Sequence, residues 1–147
     1  MRRTPWRVVS LVLILGLASA SCDGPNRGSR SQPSSASGFQ ITVTASPNAI
    51  RGANAATSET QGGCATVQAT VFNTNGQLVD GAIVTLSTTL GRFPAAQNPS
   101  RPESVAVSGV TTNGVLTDVL CAKSERGTAT LTASVEDAFA TVLITIF

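Results

Sequence analysis

The feature that most constrains this chain is a strict two-residue alternation of small apolar and hydroxyl-bearing side chains. It is clearest between Cys64 and Phe93, in CATVQATVFNTNGQLVDGAIVTLSTTLGRF. Ala65, Val67, Ala69 and Val71 alternate with Thr66, Gln68 and Thr70. A period of two sends one set of side chains into a core and the other into water, the signature of a half-buried β-strand. Asn73-Thr74-Asn75-Gly76 follows, and its Asn-Gly pair supplies the positive φ angles that a tight turn needs. Ala82, Val84 and Leu86 then alternate with Ile83, Thr85 and Ser87, so both faces of this second strand are partly apolar.

The same grammar runs through the rest of the chain from Phe39 onward. Phe39–Ala45 alternates, and Pro47 ends it because proline cannot donate to a ladder. Residues 48–63 read as a polar loop with a short strand or switch inside it. The segment 92–102 holds three prolines and is read as a crossing loop. Ser104–Ser108 is a short strand, and Thr112-Asn113-Gly114 is a second turn. Val115–Cys121 is a strand with two possible facings. Either Val115, Thr117 and Val119 point inward, or Leu116 and Leu120 do, with Asp118 between them. The first is favoured because it leaves Asp118 in water. Ala129, Leu131, Ala133 and Val135 form the inward set of the next strand. Ala140, Val142, Ile144 and Ile146 form that of the last, where the sequence ends and one domain is expected. About seven short strands, with turn signals between them and no helix-period segment, predict an immunoglobulin-like antiparallel β-sandwich over 39–147. An antiparallel barrel is the alternative.

The N-terminus follows a different pattern. Arg2, Arg3 and Arg7 precede an apolar run from Val8 to Ala20 that ends in small residues. This is the charged region and short apolar region of an export signal, and it is shorter than the roughly 20 residues that span a bilayer. Residues 1–21 are therefore expected to be a signal peptide. Leu17-Ala18-Ser19-Ala20-Ser21-Cys22 resembles the lipobox of bacterial lipoproteins, which implies cleavage before Cys22 and lipid attachment to it. Ser19 departs from that pattern, where leucine is usual. Ordinary cleavage after Ala18 or Ala20 is the competing reading and would leave Cys22 a free thiol. Asp23 to Gly38, DGPNRGSRSQPSSASG, has no hydrophobic periodicity. It is expected to be a disordered linker spanning on the order of 20–25 Å. Arg27 and Arg30 are too few to argue for headgroup contact, and a solvated linker is the plainer reading.

Cys64 opens the second strand of the domain and Cys121 closes its fifth. Those strands are antiparallel neighbours in one sheet of an immunoglobulin-type sandwich, so the start of one lies beside the end of the other. A Cys64–Cys121 disulfide is expected, closing a loop of nearly 60 residues in an exported chain. Metal binding by the two thiolates is the alternative, and it lacks further Cys or His to complete a site.

Several phrases together resemble the bacterial Ig-like domains of the invasin and intimin type. They are ITVTASPNAI, ATVQATVFNTNGQLVDGAIVTLSTTLGRF, TTNGVLTDVL, GTATLTASV and ATVLITIF, from about Ile41 to Phe147. The resemblance implies a sandwich used in surface adhesins and other exported proteins as a spacer or binding module. It carries over no functional residues. A single copy and the cysteine pair both depart from the usual pattern.

Composition narrows the chemistry. The chain has no His and no Tyr, and only 12% of its residues are charged. The commonest general base and metal ligand is therefore missing. No catalytic residue, metal or cofactor is expected. Glu136-Asp137 reads as a solvated turn. A weak calcium site there is the alternative, without the spacing of a dedicated loop. Removing three arginines with the signal leaves seven basic residues (10 − 3) against eight acidic ones, which gives no footprint for nucleic acid. Phe93, between Arg92 and Pro94, is singled out as a possible contact loop, with folding back over the sandwich end the favoured reading. The expected protein is an exported, membrane-anchored lipoprotein of the cell envelope. Its partners are a membrane through Cys22 and an unidentified envelope or surface protein. The alternative is a secreted or periplasmic adhesin-like subunit of a larger surface complex.

Overall fold

Alternating valine and threonine favours extended backbone, because branched side chains fit a pleated surface. The computed structural model describes residues 28–31, 37–54, 62–95 and 101–147. Among them lie nine strands: β1 (Gly28–Ser31), β2 (Gln40–Ser46), β3 (Ala49–Ile50), β4 (Cys64–Phe72), β5 (Ile83–Thr88), β6 (Ala106–Val110), β7 (Val115–Cys121), β8 (Gly127–Val135) and β9 (Ala138–Ile146). They build two sheets, ordered β1-β2-β4-β7 and β3-β9-β8-β5-β6. Every pairing is antiparallel except β3 with β9.

This is an immunoglobulin-like β-sandwich and not a closed barrel. β2, β4 and β7 share one sheet while β5, β8 and β9 share the other, which is the partition of that fold. β3 is the switch expected within 48–63. It carries the chain from the first sheet to the edge of the second. The core is the alternating set. Ala65, Val67, Ala69 and Val71 of one sheet and Ala129, Leu131, Ala133, Val142 and Ile144 of the other are all buried in one cluster. Each fully buried Val, Leu or Ile stabilises the fold by about 1.5–3 kcal/mol relative to exposure. The Asn113-Gly114 turn takes φ of 52° and 77°, the positive pair a two-residue hairpin requires.

Three expectations are corrected. The first is the facing of β7. Leu120 is fully buried and Leu116 packs on the core, so the Leu116/Leu120 face points inward and takes Asp118 with it. Asp118 tolerates this because Arg101 meets it, as described below. The second is the linker. Within the expected disordered segment, Gly28–Ser31 is a strand, pairing Gly28 with Ala45 and Ser31 with Thr42. Without it β2 would be a bare sheet edge, and ladder hydrogen bonds are made by the backbone whatever the side chains. The third is β6, which lies two residues beyond Ser104–Ser108 because its register on β5 extends to Val110. The signal peptide, Cys22 and the rest of the linker before Ser37 lie outside the described residues.

Candidate functional site

The two ends of the sandwich differ in chemistry, and the cysteines mark one of them. Cys64 and Cys121 are register partners on β4 and β7. Their Cα atoms are 4.0 Å apart and their sulfurs are bonded. The backbone of Cys121 turns away from Cys64. Its N–H donates to Arg92 O, and its carbonyl accepts from Arg92 N, both at 2.9 Å. The cysteines therefore occupy a non-hydrogen-bonded pair, the kind whose Cα atoms approach most closely. The bridge joins neighbours within one sheet. It closes a loop of sequence separation 57, worth about 4 kcal/mol by chain entropy.

The same end holds Phe93, which folds back over the sandwich end as favoured, so the contact-loop reading is corrected. Phe93 is 0% exposed and belongs to the core. Arg92 bridges to Cys121 in the first sheet, while Phe93 bridges to Ser104 on the approach to β6 in the second. The segment therefore spans both sheets and drops its ring between them. The available signal was size, since an aromatic side chain hides 150–250 Å² when buried, and residues 92–102 hold no other large apolar side chain.

Arg101 was not legible as a site residue. It lies in the proline-rich crossing loop, 17 residues from its partner. Its Nη1 donates to Asp118 Oδ2 at 2.7 Å and its Nη2 to Oδ1 at 3.2 Å. Nη2 also donates to Pro94 O at 2.9 Å. The side chains are 25% and 10% exposed. The hydrogen bond it donates to Asp118 holds the guanidinium above its ordinary pKa, with burial opposing. The fork lines the groove between β7 and β6, where Gly109 faces Leu116.

The opposite end is built from turns. Asp80 accepts from Asn113 N at 2.8 Å and so braces the Asn-Gly turn. The buried Thr111 hydroxyl donates to Val79 O at 2.7 Å and accepts from Ala82 N at 2.9 Å. Asp137 accepts from the Ser37 hydroxyl, which gives the Glu136-Asp137 turn a structural task. A groove of about 590 Å³ opens here, lined by Phe39, Ile83, Asp80 and Glu136 among others. Among the described residues, no group of three or more Cys, Asp or Glu side chains is placed to hold a metal ion.

A two-sheet sandwich of this strand order, pinned by one intra-sheet disulfide, defines an Ig-like module. No family model and no curated protein matches the chain. Similar solved structures include the Yersinia pseudotuberculosis adhesin InvE, at 22% identity and a TM-score of 0.48, covering 72% of this chain and 26% of that one. They also include the D0-D1 domain of intimin, at 17% identity and a TM-score of 0.45, covering 73% of this chain and 62% of that one. The chain thus spans about a quarter of the first and under two thirds of the second.

Proposed function

We propose that the chain is an exported lipoprotein, held at a bacterial membrane through Cys22, whose single Ig-like domain is a non-catalytic binding or structural module of the cell envelope. One observation carries this reading. The disulfide consumes Cys64 and Cys121, and the third cysteine stands directly behind an export signal in a lipobox-like setting. A lipid on Cys22 uses that remaining thiol and supplies the anchor, at about 0.8 kcal/mol per buried CH₂. The absence of His and the spread of the carboxylates support a role without acid–base chemistry.

The test is fractionation of a Cys22→Ser variant beside the unaltered protein. The unaltered protein is expected with the membranes and to stay there in high salt. The variant is expected in the soluble fraction or retained as an uncleaved precursor. Equal, salt-extractable distribution of both would overturn the anchor.

A further inference from the structure

Among the described residues the two sheets end in four edge strands, β1 and β7 in one and β3 and β6 in the other. An edge strand carries unpaired backbone groups that recruit another strand unless something blunts it. β1 and β3 are short, at four and two residues. β7 is capped by its own neighbours. Val115 N donates to Thr112 O at 3.1 Å and Thr112 N to Val115 O at 2.9 Å, while Cys121 makes the same exchange with Arg92. Between them Val119 N donates to Asp118 Oδ1 at 2.7 Å.

β6 has no such cover. It reads Ala106-Val107-Ser108-Gly109-Val110, five residues without a charge or a proline. Thr88 N donates to Val105 O and Thr111 N to Ala82 O, both at 2.9 Å. Hydrogen-bonded and non-hydrogen-bonded pairs alternate along an antiparallel ladder. In the β5–β6 register these two bonds therefore make Val107 and Gly109 the residues joined to β5. The backbone groups of Ala106, Ser108 and Val110 point off the edge. Ala106 N meets Ser104 Oγ at 3.2 Å. The Ala106 carbonyl and both backbone groups of Ser108 and Val110 have no partner among the described residues. Val110 and its register partner Ile83 are 58% and 68% exposed, and a groove of about 470 Å³ runs between this edge and β7.

We propose that β6 is a self-pairing edge. It adds antiparallel to β6 of a second copy about a two-fold axis at Ser108, and joins the two five-stranded sheets into one. The strand is complementary to itself in this register. Ser108 meets the partner's Ser108, and Val110 N–H meets the partner's Ala106 carbonyl, about four backbone hydrogen bonds with Ala106 N–H left on Ser104. On the outer face Val110, the largest side chain of the strand's exposed set, lies beside the partner's Ala106, the smallest apolar one. With no charge on the strand, like residues meet across the axis without repulsion. Such a contact uses the same patch on both copies and closes at two. It is small, so pairing is reversible. Pairing needs this edge alone; a Cys22 anchor only confines the copies to one plane.

The test co-produces two differently tagged forms of the full-length protein and oxidises whichever fraction holds them, membrane or soluble. The parent without added cysteine reports any link through Cys22. Ala106→Cys in one form and Val110→Cys in the other should yield a mixed disulfide, because paired Cα atoms lie about 5.5 Å apart. Ala106→Cys in both forms should not, because those positions are roughly 14 Å apart along the strands. Adding Ser108→Lys to both forms of the first pair should cut its cross-link about tenfold, since like charges then face each other across the axis. Ser108→Lys in one form and Ser108→Glu in the other should return it to within about twofold. Ser108 is exposed, and thermal melts of these variants check that the domain is intact. No cross-link above the parent, equal cross-linking of both cysteine combinations, or no rescue by the Lys/Glu pair overturns self-pairing. A cross-link from β6 to a different protein overturns it as well and gives the edge to that protein's strand. Cross-linking in this register from a soluble protein overturns the anchor and leaves self-pairing standing.

Discussion

Arg101 and Asp118 form a two-pronged ion pair, at 2.7 and 3.2 Å, on the side of the sandwich between β6 and β7. This pair lets a carboxylate sit on the inner face of β7. It also decides the facing of that strand, because Leu116 and Leu120 go inward only if Asp118 goes with them. Removing one partner of a well-buried pair costs 3–5 kcal/mol, and an exposed one far less. Arg101 is a quarter exposed, so Arg101→Met is expected to cost about 2 kcal/mol. In thermal melts this lowers the midpoint by roughly 8 °C. Adding Asp118→Leu should recover most of the loss, since an apolar replacement of both partners leaves no orphan charge. A double variant less stable than the single one would contradict this account.

Phe93 and Phe139 separate burial from loop position. Phe93 is fully buried in a loop, while Phe139 is 49% exposed on a strand. Phe93→Ala is expected to cost about 3–5 kcal/mol. Phe139→Ala should stay within about 0.5–1 kcal/mol, as surface changes do. Chemical denaturation of both variants checks the contrast, and equal costs would return Phe93 to the surface.

Gly91 and Gly81 test the corner beside the disulfide. Both take φ of 76°. A methyl group at Gly91 would meet the Cys121 carbonyl oxygen at 2.8 Å, while at Gly81 it would meet nothing within 4 Å. Gly81→Ala is expected to cost about 1–2 kcal/mol, the strain of a left-handed backbone alone. Gly91→Ala should cost measurably more, because a backbone oxygen must also shift. Denaturant midpoints for the two decide the matter, and a Gly91 variant as stable as the Gly81 variant would contradict the close approach.

How much of this could be read from the sequence depends on where the information sits. Ala65, Val67, Ala69 and Val71 were legible because a period of two states their facing without reference to anything else. The Cys64–Cys121 pair was legible because it needs only the strand order and the two end positions. The facing of β7 was not, since it depends on Arg101, a cation far along the chain in a loop of no regular pattern. The burial of Phe93 was only partly legible, as a fold-back left beside a contact loop, because the bridges that fix it, Arg92 to Cys121 and Phe93 to Ser104, exist only once the sheets assemble. β1 was missed because Gly28–Ser31 carries no hydrophobic pattern. What holds it is the backbone edge that β2 offers.

That last point gives a prediction of its own. Ser29→Pro/Arg30→Pro removes donors from β1 and should release it from β2. Exchange of the β2 amides over 42–45 that face β1 is expected to quicken, with little change in the melting of the core. Unchanged exchange over 42–45 would mean that β1 does not hold the edge in solution.

The most direct test of the whole account is the intact mass of the protein from the native membrane fraction, with and without reductant. The account predicts a chain that begins at Cys22, carries added acyl mass, and gains about two hydrogens on reduction of the Cys64–Cys121 bridge. A soluble chain cut after Ala18 or Ala20, with Cys22 itself in a disulfide, would contradict it.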